Sequence, residues 1–228
     1  AYLEGRDALN LPADEIPQLD DVSSRMEAAT GFMLAPVGGL LDKSEFLPML
    51  ANKVMRCTPY LRHFDYPFFT PEPDIIHELR GHAPMFMHEP FVEHSVGIGN
   101  AAAAAVEAKN DELLDMIGLF YWYTVEYGLI REDGEIKVFG AGNNGGIQDL
   151  LRSVDPTIEK LPFSIDAIRE FVRCLRGKDV DPGTKRCECC VLTTDLRRDD
   201  VRTRLWRLKG GQAFPSLVKR RLHADQCV

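Results

Sequence analysis

Long apolar runs are missing from this sequence. The alanine stretch 101–105 meets Glu107 and Lys109 almost at once, far short of the roughly 18 apolar residues a membrane-spanning helix needs. Residues 1–6 lack the basic-then-apolar layout of a secretory signal. An excess of positive charge is missing too: 27 Lys and Arg against 35 Asp and Glu leave a formal net charge of -8. That balance argues against an obligate nucleic-acid binder, which needs a dominant basic footprint. No internal repeat is present. The six cysteines (Cys57, Cys174, Cys187, Cys189, Cys190 and Cys227) come without a secretory signal, so reduced thiols in a cytoplasm are expected. The crowded run Cys187-Glu188-Cys189-Cys190 raises the question of zinc, but no second C-x-x-C pair or nearby histidine completes a four-ligand set. A soluble, cytoplasmic protein with no membrane and no nucleic-acid partner is the expectation.

What is present is ordinary in bulk and specific in detail. A length of 228 residues suits one good-sized domain, or a domain with a tail. Basic residues concentrate between Lys185 and Arg221, which reads as a solvated C-terminal region docking on an acidic body. Residues 1–18 read as an irregular arm. Helices are expected from Asp20 to Thr30, from Phe46 or Leu47 onward after Ser44, over 90–108, from Asp111 to Glu126 or Tyr127, over 147–152 and over 165–175. The 53–57 segment suits a short strand. Ile130-Arg131, a turn through Asp133-Gly134, and 136–139 read as a hairpin. The glycine-rich 140–146 stretch reads as a loop. The fold class is therefore mainly α with short β-hairpins.

The chemistry concentrates between Thr70 and His82. Pro71 and Pro73 stiffen the approach, Asp74 is placed to cap a short helix, and His77 and His82 follow with Glu78 directly after the first imidazole. A five-residue step overshoots one turn of an ideal helix, so the two rings meet one ion only if the helix ends between them or the ion sits at its rim. Gly81 offers such an end. Two imidazoles and one carboxylate that leave adjacent positions open form the set that holds non-haem iron(II) for oxygen chemistry. Glu126 is the best third ligand, since a carboxylate inside Leu119-Phe120-Tyr121-Trp122-Tyr123-Thr124-Val125-Glu126-Tyr127 is costly to bury unless paired or metal-bound. The zinc-protease alternative needs its second histidine four residues on, where this chain has Gly81. His88 and His94 are spare imidazoles, better read as solvated or satisfied.

The sequence resembles the catalytic domain of the pterin-dependent aromatic amino acid hydroxylases, and most of all the phenylalanine-acting, bacterial-type members. The motifs are Ile16-Pro17-Gln18-Leu19, Thr30-Gly31-Phe32, Pro36-Val37-Gly38-Gly39-Leu40-Leu41, Tyr60-Leu61-Arg62-His63, Tyr66 through His82, Tyr121 through Leu129, and Ile136-Lys137-Val138-Phe139-Gly140-Ala141-Gly142. The resemblance implies the catalytic-domain fold of that family. It also implies an Fe(II)- and tetrahydropterin-dependent monooxygenase that takes O2 as co-substrate and hydroxylates the ring of L-phenylalanine, para or meta. Tryptophan or tyrosine as substrate, or a non-catalytic relative that binds an aromatic amino acid, are the alternatives.

By the same resemblance His77, His82 and Glu126 are the iron ligands. Arg62 holds the amino acid carboxylate, Thr70 and Pro71 contact substrate, and Trp122 walls the ring with Tyr127 beside it. Gly39, Leu40, Leu41 and Phe46 face the pterin with Glu78 near it, and Asp74 supports the iron site. The implied organisation is an arm over 1–15, a catalytic iron and pterin domain over 16–176, and a divergent C-terminal region over 177–228 packing on the same domain, as a monomer. Three positions depart from the family pattern. Asn143-Asn144-Gly145-Gly146 replaces leucines and a serine pair, one serine of which supports an iron-ligand histidine. Arg56 replaces a ring-bearing residue, and Tyr127 replaces phenylalanine.

Overall fold

A computed structural model describes residues 1–65, 67–68, 73–175 and 191–194; Tyr66, Thr70 and Pro71 lie outside the described residues, as do all the cysteines from Cys187 on. The first helix, α1 (Tyr2–Ala8), falls where an irregular arm is expected. Its residues carry no strong helix signal and no side-chain cap; what holds it is docking, with Leu9 at 0 % exposure in the core. The second helix, α2 (Leu19–Thr30), ends at Gly31, whose φ of 74° closes the helix in the left-handed conformation glycine adopts readily. Strand β1 (Met33–Pro36) follows, then α3 (Lys43–Met49), a 3-10 turn (Leu50–Asn52) and β2 (Val54–Cys57). β1 and β2 pair in parallel, Met33 opposite Val54. Helix α3 starts earlier than Phe46: the Asp42 carboxylate accepts from the Ser44 N–H and caps it there, and Pro48 sits inside, near the point where the helix tightens into the 3-10 turn.

The centre of the molecule is α4 (Glu89–Glu107), buried through Phe91, Val92, Ile98, Ala102 and Ala105. Its small residues let neighbours approach closely. A Cβ on Gly99 would lie 2.1 Å from the Ala51 backbone nitrogen. Helix α5 (Asp111–Tyr121), capped by the Asn110 side chain, packs on α4 and is tied to α3 by an ion pair at 2.9 Å between the half-buried Lys43 and the buried Asp115.

Strands β3 (Leu129–Glu132) and β4 (Glu135–Val138) form the expected hairpin, with Asp133 and Gly134 both at positive φ in its turn. Beyond it come α6 (Ala141–Asn144), α7 (Ile147–Val154), β5 (Lys160–Pro162), α8 (Ile165–Leu175) and β6 (Val191–Thr194). The second sheet runs β4-β3-β6-β5. β6 pairs in parallel with both β3 and β5, so strands far apart in sequence close the layer, and among the described residues only β3–β4 is a hairpin. The glycine-rich stretch after Phe139 is not open loop, since α6 occupies it. No described helix is long and apolar enough to cross a membrane.

Candidate metal centre

Asp74 begins the site. Its Oδ1 accepts the His77 N–H at 3.0 Å, capping a helix that starts at Ile75 and widens into a π-helix over His77–His82. The widening does what a helix end at Gly81 was expected to do. With five residues closing one hydrogen-bonded turn, as in the Ala83 N–H to Glu78 carbonyl bond at 3.1 Å, His82 comes back to the face of His77. Their Nε2 atoms are 3.1 Å apart. Gly81 serves packing instead: a Cβ there would lie 2.6 Å from the Ala141 carbonyl oxygen, so α6 rests on the π-helix backbone.

A second π-helix, Trp122–Glu126, continues α5 and is closed by the Tyr127 N–H to Trp122 carbonyl bond at 2.9 Å. It turns Glu126 inward. Glu126 Oε1 lies 3.0 Å from His82 Nε2, and Oε2 lies 3.4 Å from His77 Nε2. The three side chains are buried, at 7 %, 1 % and 9 % residue exposure. Three donor atoms so spaced fit the corners around one ion with bonds of about 2.1 Å, and two imidazoles with one carboxylate are the donors iron(II) takes.

The electrostatics suit a cation. Burial would raise the Glu126 carboxyl, but the two imidazoles override it and hold it at about 2. For His77 burial is the largest influence and outweighs the raising pull of the Glu126 carboxylate, taking the ring down to about 4 and leaving it neutral. For His82, burial would lower the pKa, yet the Glu126 carboxylate overrides this and raises it. A second carboxyl group flanks the imidazoles, because Glu78 also stands close: ligand atoms of His77, Glu78 and His82 lie within 4.8 Å of one another. Glu78 is pushed up to about 7, chiefly by burial. Its Oε1 accepts from the Thr58 N–H (3.1 Å) and hydroxyl (3.2 Å), while Oε2 is buried with no hydrogen-bond partner among the described residues. An orphaned carboxylate oxygen beside the centre fits a donor group of a bound cofactor.

Arg62 packs against the same helix cap. Its Nη2 and Nε donate to Asp74 Oδ1 (2.7 Å) and Oδ2 (2.8 Å), and Nη2 also donates to the Gly145 carbonyl at 3.1 Å. Burial would raise Asp74, but Arg62 and the His77 N–H more than offset it and lower its pKa. Nη1 meets the Pro67 carbonyl at 3.4 Å. Trp122 and Tyr127 stack at an angle with ring centroids 4.8 Å apart. Phe46 sits edge-on to Tyr121 at 5.5 Å, and the Tyr121 ring lies 6.5 Å from that of His82. Gly39, Leu40 and Leu41 form the turn between β1 and α3; Leu40 is 51 % exposed, and a Cβ on Gly39 would meet nothing within 4 Å. That turn lies open to space.

Two features carry no signal in the spacing of ligands. Tyr121 reads as part of an apolar face, yet burial, then the Glu126 and Glu78 carboxylates, drive its pKa well above the usual phenol range. Its place five residues before Glu126, one π-turn back, is the clue. The departing stretch after Gly142 supplies no serine, but it is anchored. Ser153 donates its hydroxyl proton to Asn143 Oδ1 at 2.7 Å, and a Cβ on Gly145 would lie 2.9 Å from the His77 Cα. Bare backbone, not a side chain, presses on the ligand helix there.

Comparison with known proteins adds to the geometry. The family profile described as "Biopterin-dependent aromatic amino acid hydroxylase" matches residues 6–172. The sequence is 44 % identical over 154 residues to a tyrosine 3-monooxygenase of Canis lupus familiaris, covering 68 % of this chain and 30 % of that protein. It is 42 % identical over 153 residues to the phenylalanine-4-hydroxylase of Homo sapiens, covering 67 % of this chain and 33 % of that one. The chain thus spans about a third of the length of these relatives. Among solved structures, the apo phenylalanine hydroxylase of Colwellia psychrerythraea superposes with a TM-score of 0.73 at 27 % identity, covering 88 % of this chain and 72 % of the other. The Fe(III)-bound phenylalanine hydroxylase of Chromobacterium violaceum shares the fold, with a TM-score of 0.74 at 24 % identity over 98 % of this chain and 75 % of the other.

Proposed function

Because the chain belongs to the biopterin-dependent aromatic amino acid hydroxylase family, we propose that it is a monooxygenase that hydroxylates the aromatic ring of L-phenylalanine. The observation that carries this reading is the convergence of His77, His82 and Glu126 on one buried point. Those three residues hold iron(II) in this reading, and a tetrahydropterin binds beside it. Bound together, the metal and the pterin supply the electrons and the open coordination positions that dioxygen chemistry needs.

The chain's own residues bind and orient. Phe46 offers a ring face to a flat heterocycle, the open turn at Gly39, Leu40 and Leu41 leaves room for it, and Glu78 accepts a proton-bearing group on its unpartnered oxygen. Trp122 and Tyr127 form an aromatic wall for the substrate ring. Asp74 fixes the Nε and Nη2 side of the Arg62 guanidinium, and Nη1, which spends one N–H on the Pro67 carbonyl, turns its second N–H to the substrate carboxylate in this proposal. Thr70 and Pro71 complete the substrate side in this proposal. The 42 % identical human phenylalanine-4-hydroxylase and the 27 % identical phenylalanine hydroxylase of Colwellia psychrerythraea favour phenylalanine. Tyrosine is the second reading, favoured by relatives such as the 44 % identical tyrosine 3-monooxygenase.

The test is aerobic turnover with iron(II), a tetrahydropterin and L-phenylalanine, with products separated against ortho-, meta- and para-tyrosine. Para-tyrosine or meta-tyrosine supports the proposal and fixes the carbon attacked. Absence of any tyrosine isomer, with dihydroxyphenylalanine formed from L-tyrosine instead, replaces it by the second reading.

A further inference from the structure

Residues 1–12 lie across the exit of the metal-ligand helix and hold it at several points. The Tyr2 hydroxyl donates to the Arg80 carbonyl at 2.6 Å. The Arg80 guanidinium in turn donates to the Pro12 carbonyl. His88 Nε2 lies 2.7 Å from the Ala1 carbonyl. Between these ties α1 is pressed flat on the chain, since a Cβ on Gly5 would stand 1.9 Å from the Pro84 carbonyl oxygen.

The Arg80 carbonyl sits between the two histidines, three residues after His77 and two before His82. In an α-helix it would accept the N–H four residues on, but that residue is Pro84, which has none. A half-buried carbonyl that its own helix leaves without that donor takes one from elsewhere, and Tyr2 brings one from outside the helix. Resting on the metal-centre reading above, we propose that Tyr2 is a positioning residue: its hydroxyl completes the hydrogen bonding of the π-helix and thereby fixes His82 against His77 and Glu126. Arg80 and Gly5 keep the clasp closed. Ligand rings must be held to within about half an ångström for a metal to bind well, and a turn wound five residues wide with a proline after it is free to relax without such a tie.

The experiment uses Tyr2→Phe, which keeps the ring and its packing, and Arg80→Ala, which cuts the Pro12 tie but keeps the carbonyl. Cobalt(II) serves as an optical probe in the full chain, and hydrogen–deuterium exchange is followed in the metal-free protein. Tyr2→Phe should bind cobalt(II) about tenfold more weakly, with an altered visible spectrum. Its 79–88 peptide should exchange faster while peptides of α5 keep their wild-type protection. Arg80→Ala should shift both readouts in the same direction. Wild-type cobalt affinity and spectrum in Tyr2→Phe, with unchanged exchange, would overturn the clasp and leave the metal centre standing. A wild-type chain that takes up no cobalt would overturn the metal centre and, with it, any role for Tyr2 in positioning ligands.

Discussion

His77 and His82 bring their Nε2 atoms to 3.1 Å across a five-residue step because the helix between them is wound to that period. The backbone of Gly145 lies directly against this winding, 2.9 Å from the His77 Cα to where a Cβ would be. Gly145→Ala therefore has to push one backbone segment off the other. The expected cost is about 1–3 kcal/mol of stability and a weaker metal site. Gly39→Ala, which meets open space, is the control that should leave urea unfolding unchanged. Equal midpoints for the two variants would contradict the packing described.

Arg62 and Asp74 are a buried ion pair, with side chains 8 % and 0 % exposed. Removing one partner strands a charge away from water, so Asp74→Ala should lose about 3–5 kcal/mol in chemical denaturation. Because Asp74 also caps the His77 helix, its loss is expected to exceed that of the cap alone. The double variant Arg62→Ala/Asp74→Ala should be no less stable than Asp74→Ala; additive losses would mean that the pair is not coupled.

Element by element, the sequence is legible where one local signal decides the outcome. Helices α4 and α5 show helical apolar spacing, the β3–β4 hairpin shows its Asp133-Gly134 turn, and Glu126 stands out as a carboxylate in aromatic company. The signal fails where tertiary contacts decide. Helix α1 has no cap and few residues, and exists because Gly5 docks on Pro84 and Leu9 enters the core. The parallel pairing of β1 with β2 spans the intervening α3, which no periodicity announces. Winding of five residues per turn has no side-chain propensity to betray it. Only the demand that two ligands share one face points to it, and a helix end at Gly81 answers that demand equally well on paper. Asn143, in a stretch that departs from the family pattern, gains its partner from Ser153 only in three dimensions.

His94 supplies a pH dependence. Both its ring nitrogens are buried with no hydrogen-bond partner among the described residues, its ring lies 5.6 Å from Phe120, and burial takes its pKa down to about 4 from the ordinary 6.5. Between those values the unfolded chain binds a proton that the folded chain refuses, so stability rises with pH across that window. On going from pH 7 to pH 5 the wild type should lose about 2 kcal/mol more than His94→Leu. Parallel unfolding curves for the two proteins at both pH values would show that His94 does not titrate on unfolding.

Cys57 gives a probe of global opening. It is buried, and burial followed by the nearby Glu78 carboxylate pushes its thiol up to about 12. At neutral pH a native thiol of this kind has almost no thiolate to react. Alkylation of the Cys57 peptide, followed by mass spectrometry, should therefore proceed only at the rate set by global unfolding and accelerate in urea. Prompt labelling in native buffer would contradict the packing of β2 against β1.

The most direct test of the whole account is the metal content of the purified chain after anaerobic loading with iron(II), measured beside Glu126→Ala. One iron per chain, lost or much weakened in the variant, is the result that three converging ligands require. Iron retained equally by Glu126→Ala, or a wild type that binds none, would contradict the centre built from His77, His82 and Glu126.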